Sequence, residues 1–283
     1  MFQSNSGSCG EERMKLLVTD LDGTLLDEEH KINDEALLLL KEFESLGYGI
    51  TFATGRSVPA ALFYIKHAGI KLPVILFNGC MIFDPLTLKP LKLYTMEPYV
   101  LMKVIEEAPK DVSILVFSRK DIYALNPVKN LDGYLQRDGI ACKFVDNFRE
   151  VDMRGVIKVL FVGSQKRLDE LFEFLSLNLR GKASVVRSEP DLVEILPLGV
   201  NKGTGLMELS KLLNVKLSDV IAVGDSMNDI EMLRTAGLGV AVGNAWEDVK
   251  KSVDVVVKGE RYKGLQELLQ MIKRSVLNEK SKI

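Results

Sequence analysis

The sequence has few of the residues that build disulfide frameworks and soft-metal sites. Its 283 residues include three cysteines and two histidines. Cys9, Cys80 and Cys142 lie far apart in the chain, and their odd number is typical of reduced thiols. No CxxC pair occurs, so a zinc site of cysteine and histidine is not expected. A metal ion would therefore be a hard cation on carboxylates. His30 or His67 could act as a catalytic base, but an isolated histidine is more often structural or exposed.

Long hydrophobic runs are also missing. A membrane-spanning helix needs about 20 mostly apolar residues, whereas the longest apolar runs here are short, such as 37–40 and 74–77. Residues 1–13 are polar and glycine-rich and contain no apolar signal-peptide core. They are expected to form a flexible leader, with Met14 as a possible biological start. The expected location is therefore the cytoplasm.

The sequence also has no large excess of charge of either sign. Lys and Arg number 37 against 39 Asp and Glu, which gives a net charge of −2. This balance argues against bulk electrostatic binding to nucleic acid or to an anionic membrane, although a local basic patch remains open. At roughly 150 residues per domain, the length predicts about two domains.

The first third of the chain alternates between strand and helix. Short apolar runs end in polar turns, and segments with leucine and alanine at helical spacing separate them. This βαβαβ order is typical of a parallel sheet with helices on both faces. The predicted elements are strands 15–20, 49–54 and 73–78 and helices 32–46 and 59–68, the second helix with Ser57 as a possible N-cap.

The middle of the chain reads as a different domain. Its segments are shorter and more alternating, which favours an α+β unit with a partly exposed sheet. Strands are predicted at 113–117, 122–125, 143–145, 157–162, 184–187 and 193–196, and helices at 98–108 and 166–179. After Pro197 the earlier rhythm returns, with helices at 203–213, 229–236, 246–252 and 263–277 and strands at 220–224, 238–242 and 254–257.

The predicted fold class is therefore α/β, with one domain split around another. A Rossmann-like, doubly wound parallel sheet takes residues 14–84 and 195–272. An inserted α+β domain takes residues 85–194, and a charged tail takes residues 273–283. The leader of residues 1–13 precedes them.

Two carboxylates follow the first strand directly. Ligands of open parallel sheets bind outside the carboxyl ends of the strands, which is where Asp20 and Asp22 are predicted to lie. Two carboxylates so close repel each other, so they suggest either a divalent metal or an ionised nucleophile beside a protonated acid. A simple turn at Asp22–Gly23 is the structural alternative. An EF-hand loop is excluded because Gly23 falls at loop position four instead of six.

A second acidic turn, Gly224–Asp229, follows another predicted strand. It contains Asp225, Asn228 and Asp229 and opens a helix, where backbone N–H groups attract anions. Helix capping by Asp225 or Ser226 is the alternative, but capping requires one such residue and not two acids and an asparagine. Two acidic turns at one sheet edge make a shared hard-cation site plausible.

Two further features could bind phosphate oxygens. Thr54 and Gly55 end a third strand, where a hydroxyl and free backbone N–H groups meet a phosphate. Lys202 lies where the chain returns to the first domain. Taken alone, Thr54 could equally cap the next helix, and Lys202 could simply be solvated. Together with the acidic turns they supply what phosphoryl transfer to a carboxylate requires.

At these residues the chain resembles the haloacid dehalogenase-superfamily phosphatases, more narrowly the Cof-type family with a type IIB α+β cap. The resemblance extends from Met14 to about Leu269. Four segments match the family motifs in order, namely Asp20–Leu26, Thr54–Arg56, Lys202–Gly203 and Gly224–Asp229, with further likeness at 77–79 and 239–245. The first and fourth of these motifs, with their spacing, are highly specific, whereas the second and third are weak alone.

This resemblance implies a Mg²⁺-dependent phosphomonoester hydrolase. It implies that Asp20 is the nucleophile, forming an aspartyl-phosphate, and that Asp22 is the acid and base. Mg²⁺ would be held by Asp20, the backbone carbonyl of Asp22, and Asp225, with Asp229 in support. The residues implied in phosphate binding are Leu21, Thr54, Gly55, Lys202 and Asn228.

The sequence also indicates the kind of substrate. The partner is expected to be a small phosphorylated metabolite, such as a sugar phosphate or a phosphorylated cofactor, because a large cap would screen substrates. A phosphotransferase or mutase, a non-catalytic phospholigand-binding regulator and a cation-binding module are the alternatives. Arg187, Glu189 and Asp191 are candidates for specificity, although solvated loop charges are the favoured explanation for them. The basic loop 258–265 departs from the family pattern.

Overall fold

The structure is a computed structural model that describes residues 14–106, 108–128 and 130–280. The predicted leader, with Cys9, and the last three residues of the predicted charged tail lie outside these ranges. Among the described residues, no helix combines the length and apolar character needed to cross a membrane.

The first part of the chain forms the predicted alternation of strands and helices. The middle of β1 is fully buried, as expected for a strand covered by helices on both faces. The elements are β1 (Lys15–Thr19), α1 (Asp34–Ser45), β2 (Tyr48–Phe52), α2 (Val58–His67), β3 (Val74–Leu76), β4 (Met81–Asp84) and β5 (Lys89–Leu93).

Residues 98–197, called the cap region below, form a separate sheet with its own helices. The elements are α3 (Pro98–Glu106), β6 (Ser113–Ser118), β7 (Ile122–Leu125), α4 (Asn130–Asp138), β8 (Lys143–Phe144), β9 (Val156–Val162), α5 (Gln165–Asn178), β10 (Ala183–Glu189) and β11 (Leu192–Pro197). The chain then returns through α6 (Lys202–Leu213), β12 (Val220–Gly224), α7 (Ile230–Thr235), β13 (Leu238–Ala241), α8 (Glu247–Lys250), β14 (Val255–Val256) and α9 (Tyr262–Lys280).

The core sheet is parallel and brings distant segments together at one edge. Its strand order is β14-β13-β12-β1-β2. Thr19 of β1 pairs with Val223 of β12, so the residues that follow these two strands are neighbours. A parallel bridge between Ala53 and Ile75 attaches β3 beside β2, and β3 continues into the antiparallel sheet β3-β4-β5. The predicted α/β fold with a doubly wound parallel sheet is confirmed.

The cap-region sheet has two unlike faces because side chains alternate along each strand. Its order is β10-β11-β9-β6-β7-β8, antiparallel except for the β7–β8 pair. Ile114 and Val116 of β6 pack in one cluster with residues of α3 and α5. Leu115 and Phe117 belong to the hydrophobic cluster that also contains the buried residues of the core sheet and its helices. In this cluster the Phe117 and Phe77 rings meet edge to face, with their centroids 5.9 Å apart.

Three local features differ from the sequence predictions. The helix α4 was not predicted, because Gly133 and several charged residues interrupt a short apolar pattern. The hairpin of β4 and β5 was also missed, since β5 is mostly exposed and shows no buried run. Ser57 stands at the N-cap position of α2, but its hydroxyl makes no capping hydrogen bond.

Candidate active site

Three buried carboxylates meet where β1 and β12 end. Asp20 follows β1, and Asp225 and Asp229 lie in the turn after β12. They are 4%, 6% and 0% exposed, and one oxygen of each lies within 4.8 Å of the others. The predicted meeting of the two acidic turns is therefore what the parallel pairing of these strands produces.

Lys202 places an ammonium group within this cluster. It is the first residue of α6, and Asn201 caps that helix by accepting a 2.8 Å hydrogen bond from the Thr204 backbone N–H. Its Nζ donates 2.6 Å hydrogen bonds to Oδ1 of Asp20 and Oδ1 of Asp229. Burial opposes the charged form, but the two carboxylates keep the pKa of Lys202 above its ordinary value. Lys202 therefore stays protonated.

One ammonium does not balance three carboxylates. Burial raises the pKa of Asp20 well above its ordinary value, against the attraction of Lys202. Burial and the neighbouring Asp229 raise the pKa of Asp225 to about 7. The raised pKa values indicate that the protein alone does not neutralise the negative charge of this buried cluster. Because the candidate metal ligands are all carboxylate oxygens, the cluster fits a hard divalent cation.

Asp229 is already satisfied by protein donors. Its Oδ1 accepts from Lys202, and its Oδ2 accepts 3.0 Å hydrogen bonds from the backbone N–H groups of Asp225 and Ser226. Asp225 has one short contact, a 2.8 Å hydrogen bond from the Thr24 hydroxyl. Asp20 and Asp225 therefore have more unused oxygen lone pairs than Asp229, which agrees with a supporting place for Asp229.

The carboxylate of Asp22 turns away from this cluster towards Arg56. Nε and Nη2 of Arg56 each donate a 2.7 Å hydrogen bond to one oxygen of Asp22, a bidentate arrangement. The His30 ring nitrogen Nδ1 lies 3.2 Å from the same carboxylate. Burial alone would raise the pKa of Asp22, but the hydrogen bonds from His30 and Arg56 hold it well below the ordinary value.

The predicted phosphate-binding residues lie around the same place. Thr54 follows β2, and its hydroxyl accepts a 3.1 Å hydrogen bond from the Arg56 backbone N–H. Thr54 and Gly55 line the cavity described below. Leu21 has a fully buried side chain, so only its backbone could face a ligand.

Asn228 offers an unused hydrogen-bonding atom. Its Nδ2 donates a 3.0 Å hydrogen bond to Oδ1 of Asn78. The remaining side-chain atoms of the pair, Asn228 Oδ1 and Asn78 Nδ2, are buried and have no partner in the described part of the chain. Buried polar atoms without partners are uncommon, and they mark this pair as open to a ligand.

A cavity of about 220 Å³ lies between these residues and the cap region. It is smaller than the ~300–1,000 Å³ of ordinary ligand pockets, so a compact ligand fits it. Cap-region side chains from α4 and from the β10–β11 turn close it from above. Its lining includes Asp20, Asp22, Thr54, Asp225 and Asn228 below, and Tyr134, Arg137, Asp138, Ser188 and Glu189 above.

The candidates for specificity occupy different places. Glu189 lines the cavity and receives a 2.6 Å hydrogen bond from Arg137. Burial raises the pKa of Glu189, against the effect of Arg137. Arg187 instead contacts backbone oxygens of Glu189 and Pro190 and does not line this cavity. Asp191 is also absent from the lining.

Several residues at the cavity were not selected from the sequence. Arg137 and Asp138 lie on the unpredicted helix α4, and Lys158 lies within an otherwise apolar strand, β9. Arg261 comes from the basic loop noted as a departure from the family pattern. The departure of this loop was the one sequence feature that pointed to any of these residues. A single charged residue in a short helix or strand forms no motif with a recognisable spacing.

Comparison with known proteins identifies the family of the chain. A family model described as haloacid dehalogenase-like hydrolase matches residues 17–269. The HMP-PP phosphatase of Yersinia pseudotuberculosis is 31% identical over 241 residues, which cover 84% of this chain and 87% of that protein.

Solved structures give the same result. A haloacid dehalogenase-like hydrolase from Bacteroides thetaiotaomicron aligns with a TM-score of 0.78 and 27% identity, over 92% of this chain and 100% of that chain. A sugar phosphatase of subclass IIB of the same superfamily aligns with a TM-score of 0.73 and 25% identity, over 86% of this chain and 93% of that chain.

Proposed function

The chain belongs to the haloacid dehalogenase-like hydrolases and is a phosphatase of that family, and from this premise we propose that it hydrolyses small phosphomonoesters with Mg²⁺. The observation that carries the proposal is the convergence of Asp20, Asp225 and Asp229 around the Lys202 ammonium. A transferring phosphoryl group gathers negative charge, and an ammonium beside a cation-binding cluster stabilises that charge.

In the first step Asp20 attacks phosphorus, and the bond from phosphorus to the ester oxygen breaks. Asp22, whose bonds to Arg56 and His30 favour the ionised form, must first take up a proton from solvent. It gives this proton to the ester oxygen, so the alcohol leaves and an aspartyl-phosphate remains on Asp20. In the second step Asp22 takes a proton from water as the water oxygen attacks phosphorus. Inorganic phosphate leaves, and Asp20 is restored.

Asp20, Asp225 and the backbone carbonyl of Asp22 would hold the Mg²⁺, with Asp229 supporting them. When bound, the ion neutralises phosphoryl charge and helps to orient the phosphate. Lys202 supplies the second positive charge. Thr54, Gly55 and the backbone of Leu21 would contact phosphoryl oxygens together with Asn228.

We extend the proposal to the substrate class. A cavity of about 220 Å³ accommodates a phosphoryl group with a small leaving group, and its ceiling is polar. The relatives include an HMP-PP phosphatase and a sugar phosphatase. Sugar phosphates and small phosphorylated cofactors or their precursors are therefore the proposed substrates. The split core (14–84 and 195–272), the inserted cap domain (85–194) and the cytoplasmic location remain predictions.

The test is phosphate release from a panel of phosphorylated metabolites and from p-nitrophenyl phosphate. We expect Asp20→Asn to abolish hydrolysis because it removes the nucleophile. The melting temperature should not fall, because the amide keeps the size of the side chain, Lys202 keeps Asp229 as its partner, and the change removes one of three crowded negative charges. Asp111→Asn is the matched control, since Asp111 is exposed and does not line the cavity. Full activity in Asp20→Asn would overturn the assignment of the nucleophile.

A further inference from the structure

Arg261 differs from the other arginine and lysine side chains that line the cavity. Each of those forms an ion pair of 2.6 to 2.7 Å, namely Arg56 with Asp22, Arg137 with Glu189 and Lys158 with Glu194. Arg261 pairs with no carboxylate in the part of the chain that the structure describes, and its guanidinium contacts only backbone oxygens. One positive charge of the cavity is therefore left for a ligand.

The guanidinium of Arg261 has hydrogen-bond donors to spare. Its Nη1 lies 3.4 Å from the backbone oxygens of Leu26 and Asp27, which is long for a hydrogen bond. Among the described residues, its Nε and Nη2 have no partner. The parallel donors of a guanidinium match the two oxygens of a carboxylate or a phosphoryl group. The free nitrogens of Arg261 are therefore suited to an anion.

The backbone of Arg261 is fixed against the loop that follows β1. Its N–H donates a 2.8 Å hydrogen bond to Oδ1 of Asn244, and Nδ2 of Asn244 donates a 2.8 Å hydrogen bond to the backbone oxygen of Gly23. The φ of Arg261 is +52°, which is unfavourable for a residue with a Cβ. Backbone conformations of this kind cluster at ligand sites, and glycine would adopt this one at lower cost.

We propose that Arg261 binds a second anionic group of the substrate, a carboxylate or a phosphoryl group, while the phosphoryl group to be transferred lies at Asp20. This inference rests on the proposed function and narrows its substrates to phosphomonoesters that carry another anion. Lys202 already supplies a positive charge at Asp20, whereas Arg261 contacts the chain at Leu26 and Asp27. Two positive charges with different neighbours in a cavity of about 220 Å³ fit a compact ligand with two anionic groups.

Two other roles are open to Arg261. It could only attach the loop at Leu26 and Asp27 to the start of α9, or it could bind the same phosphoryl group as Lys202. Loss of the side chain would then weaken the binding of every phosphoryl ligand equally. A second-anion site instead predicts a loss confined to ligands with two anionic groups.

The experiment measures dissociation constants for three phosphonates, whose C–P bond the proposed reaction does not break. Propylphosphonate is the reference with one anionic group. A carboxylate replaces its terminal methyl group in 3-phosphonopropionate, and a second phosphonate replaces it in 1,2-ethylenediphosphonate. Trp246 is the only tryptophan of the sequence and lines the same cavity, so its fluorescence reports binding at a constant concentration of free Mg²⁺.

We expect the wild type to bind at least one of the ligands with two anionic groups about tenfold or more tightly than propylphosphonate, because a hydrogen bond between charged groups is strong. The ligand that shows this preference identifies the second anion as a carboxylate or a phosphoryl group. Arg261→Met should remove the preference. Arg261→Lys should keep part of it, since it retains the charge but not the parallel donors.

Two further variants separate this role from folding and from net charge. Arg261→Gly should also lose the preference, and its melting temperature should be no lower than that of Arg261→Met, because glycine adopts a positive φ readily. Lys263→Met is the matched control and should keep the preference. Lys263 is exposed in the same basic loop and does not line the cavity.

Equal affinity of the wild type for all three ligands would overturn the proposal. A preference that survives in Arg261→Met and Arg261→Gly, or an equal loss of affinity for all three ligands in these variants, would also overturn it. Wild-type protein that shows the preference but hydrolyses no phosphomonoester would contradict the proposed function while supporting the two-anion site, which keeps the two failures distinguishable.

Discussion

Lys202 donates a 2.6 Å hydrogen bond to the carboxylate of Asp20 across 182 residues of sequence. Asp20 reaches this position at the end of β1, and Lys202 reaches it as the first residue of α6. The contact therefore joins the two parts of the chain that flank the cap region. It also sets the charge around the proposed nucleophile, because Lys202 is the ammonium partner of both Asp20 and Asp229.

Replacing this ammonium should affect activity and stability together. We expect Lys202→Met to lower kcat/KM for p-nitrophenyl phosphate about 10²–10³-fold, because a preorganised positive charge at the phosphoryl group is lost. Removal of one partner of a buried ion pair also costs about 3–5 kcal/mol of unfolding free energy. Kinetics and urea unfolding measure the two effects. Lys211→Met is the control, because Lys211 is exposed on the same helix, and it should change neither activity nor stability. Near-normal activity in Lys202→Met would contradict the proposed role of Lys202.

The cap of α6 allows stability to be separated from positioning. Asn201 and Asn33 each cap a helix by accepting a hydrogen bond from a backbone N–H, at 2.8 and 2.9 Å. Asn201→Ala and Asn33→Ala should therefore each cost about 1 kcal/mol. Only Asn201→Ala should reduce kcat, because Asn201 directly precedes Lys202. Melting curves and steady-state kinetics test this, and equal kinetic losses in both variants would show that helix fraying alone is responsible.

The sequence predicted the core residues of the site far better than the cap-region residues that face them. Asp20, Thr54 and Asp225 follow strands whose apolar runs are easily recognised, and parallel pairing then brings the strand ends together. The helix α4 has no such pattern, so Asp138 could not be placed opposite Arg56, from which 82 residues separate it. The turn of Asp22 towards Arg56 was also not predicted, since a side-chain direction depends on partners that only the folded chain supplies.

Metal binding should depend on pH in a defined direction. The pKa of Asp225 rises from an ordinary 3.8 to about 7 in the folded protein. A carboxyl with a higher pKa in the folded state binds more protons there, so in EDTA this group makes stability fall as pH rises through that interval. A metal ion must displace the proton. The increase in melting temperature caused by Mg²⁺ should therefore be larger at about pH 8 than at about pH 6.

Asp225→Asn provides the control for this dependence. The amide keeps an acceptor for the Thr24 hydroxyl and removes one negative charge from the cluster. In EDTA at about pH 8 the variant should melt at a higher temperature than the wild type, and Mg²⁺ should stabilise it little. Activity that EDTA leaves unchanged in the wild type, or stabilisation by Mg²⁺ that is independent of pH, would contradict the proposed metal site.

Gly23 should tolerate no side chain, and the reason is the metal cluster. Its φ is +79°, and an added Cβ would lie 2.7 Å from Cγ of Asp225. Gly47 has a similar φ of +86° but no atom within 4 Å of an added Cβ. Gly47→Ala should thus cost only the backbone strain of about 1–2 kcal/mol and keep full activity. Gly23→Ala adds a collision that displaces Asp225, so it should lose both hydrolysis and thermal stabilisation by Mg²⁺. Equal losses in the two variants would show that backbone strain, and not the carboxylate beside Gly23, requires glycine there.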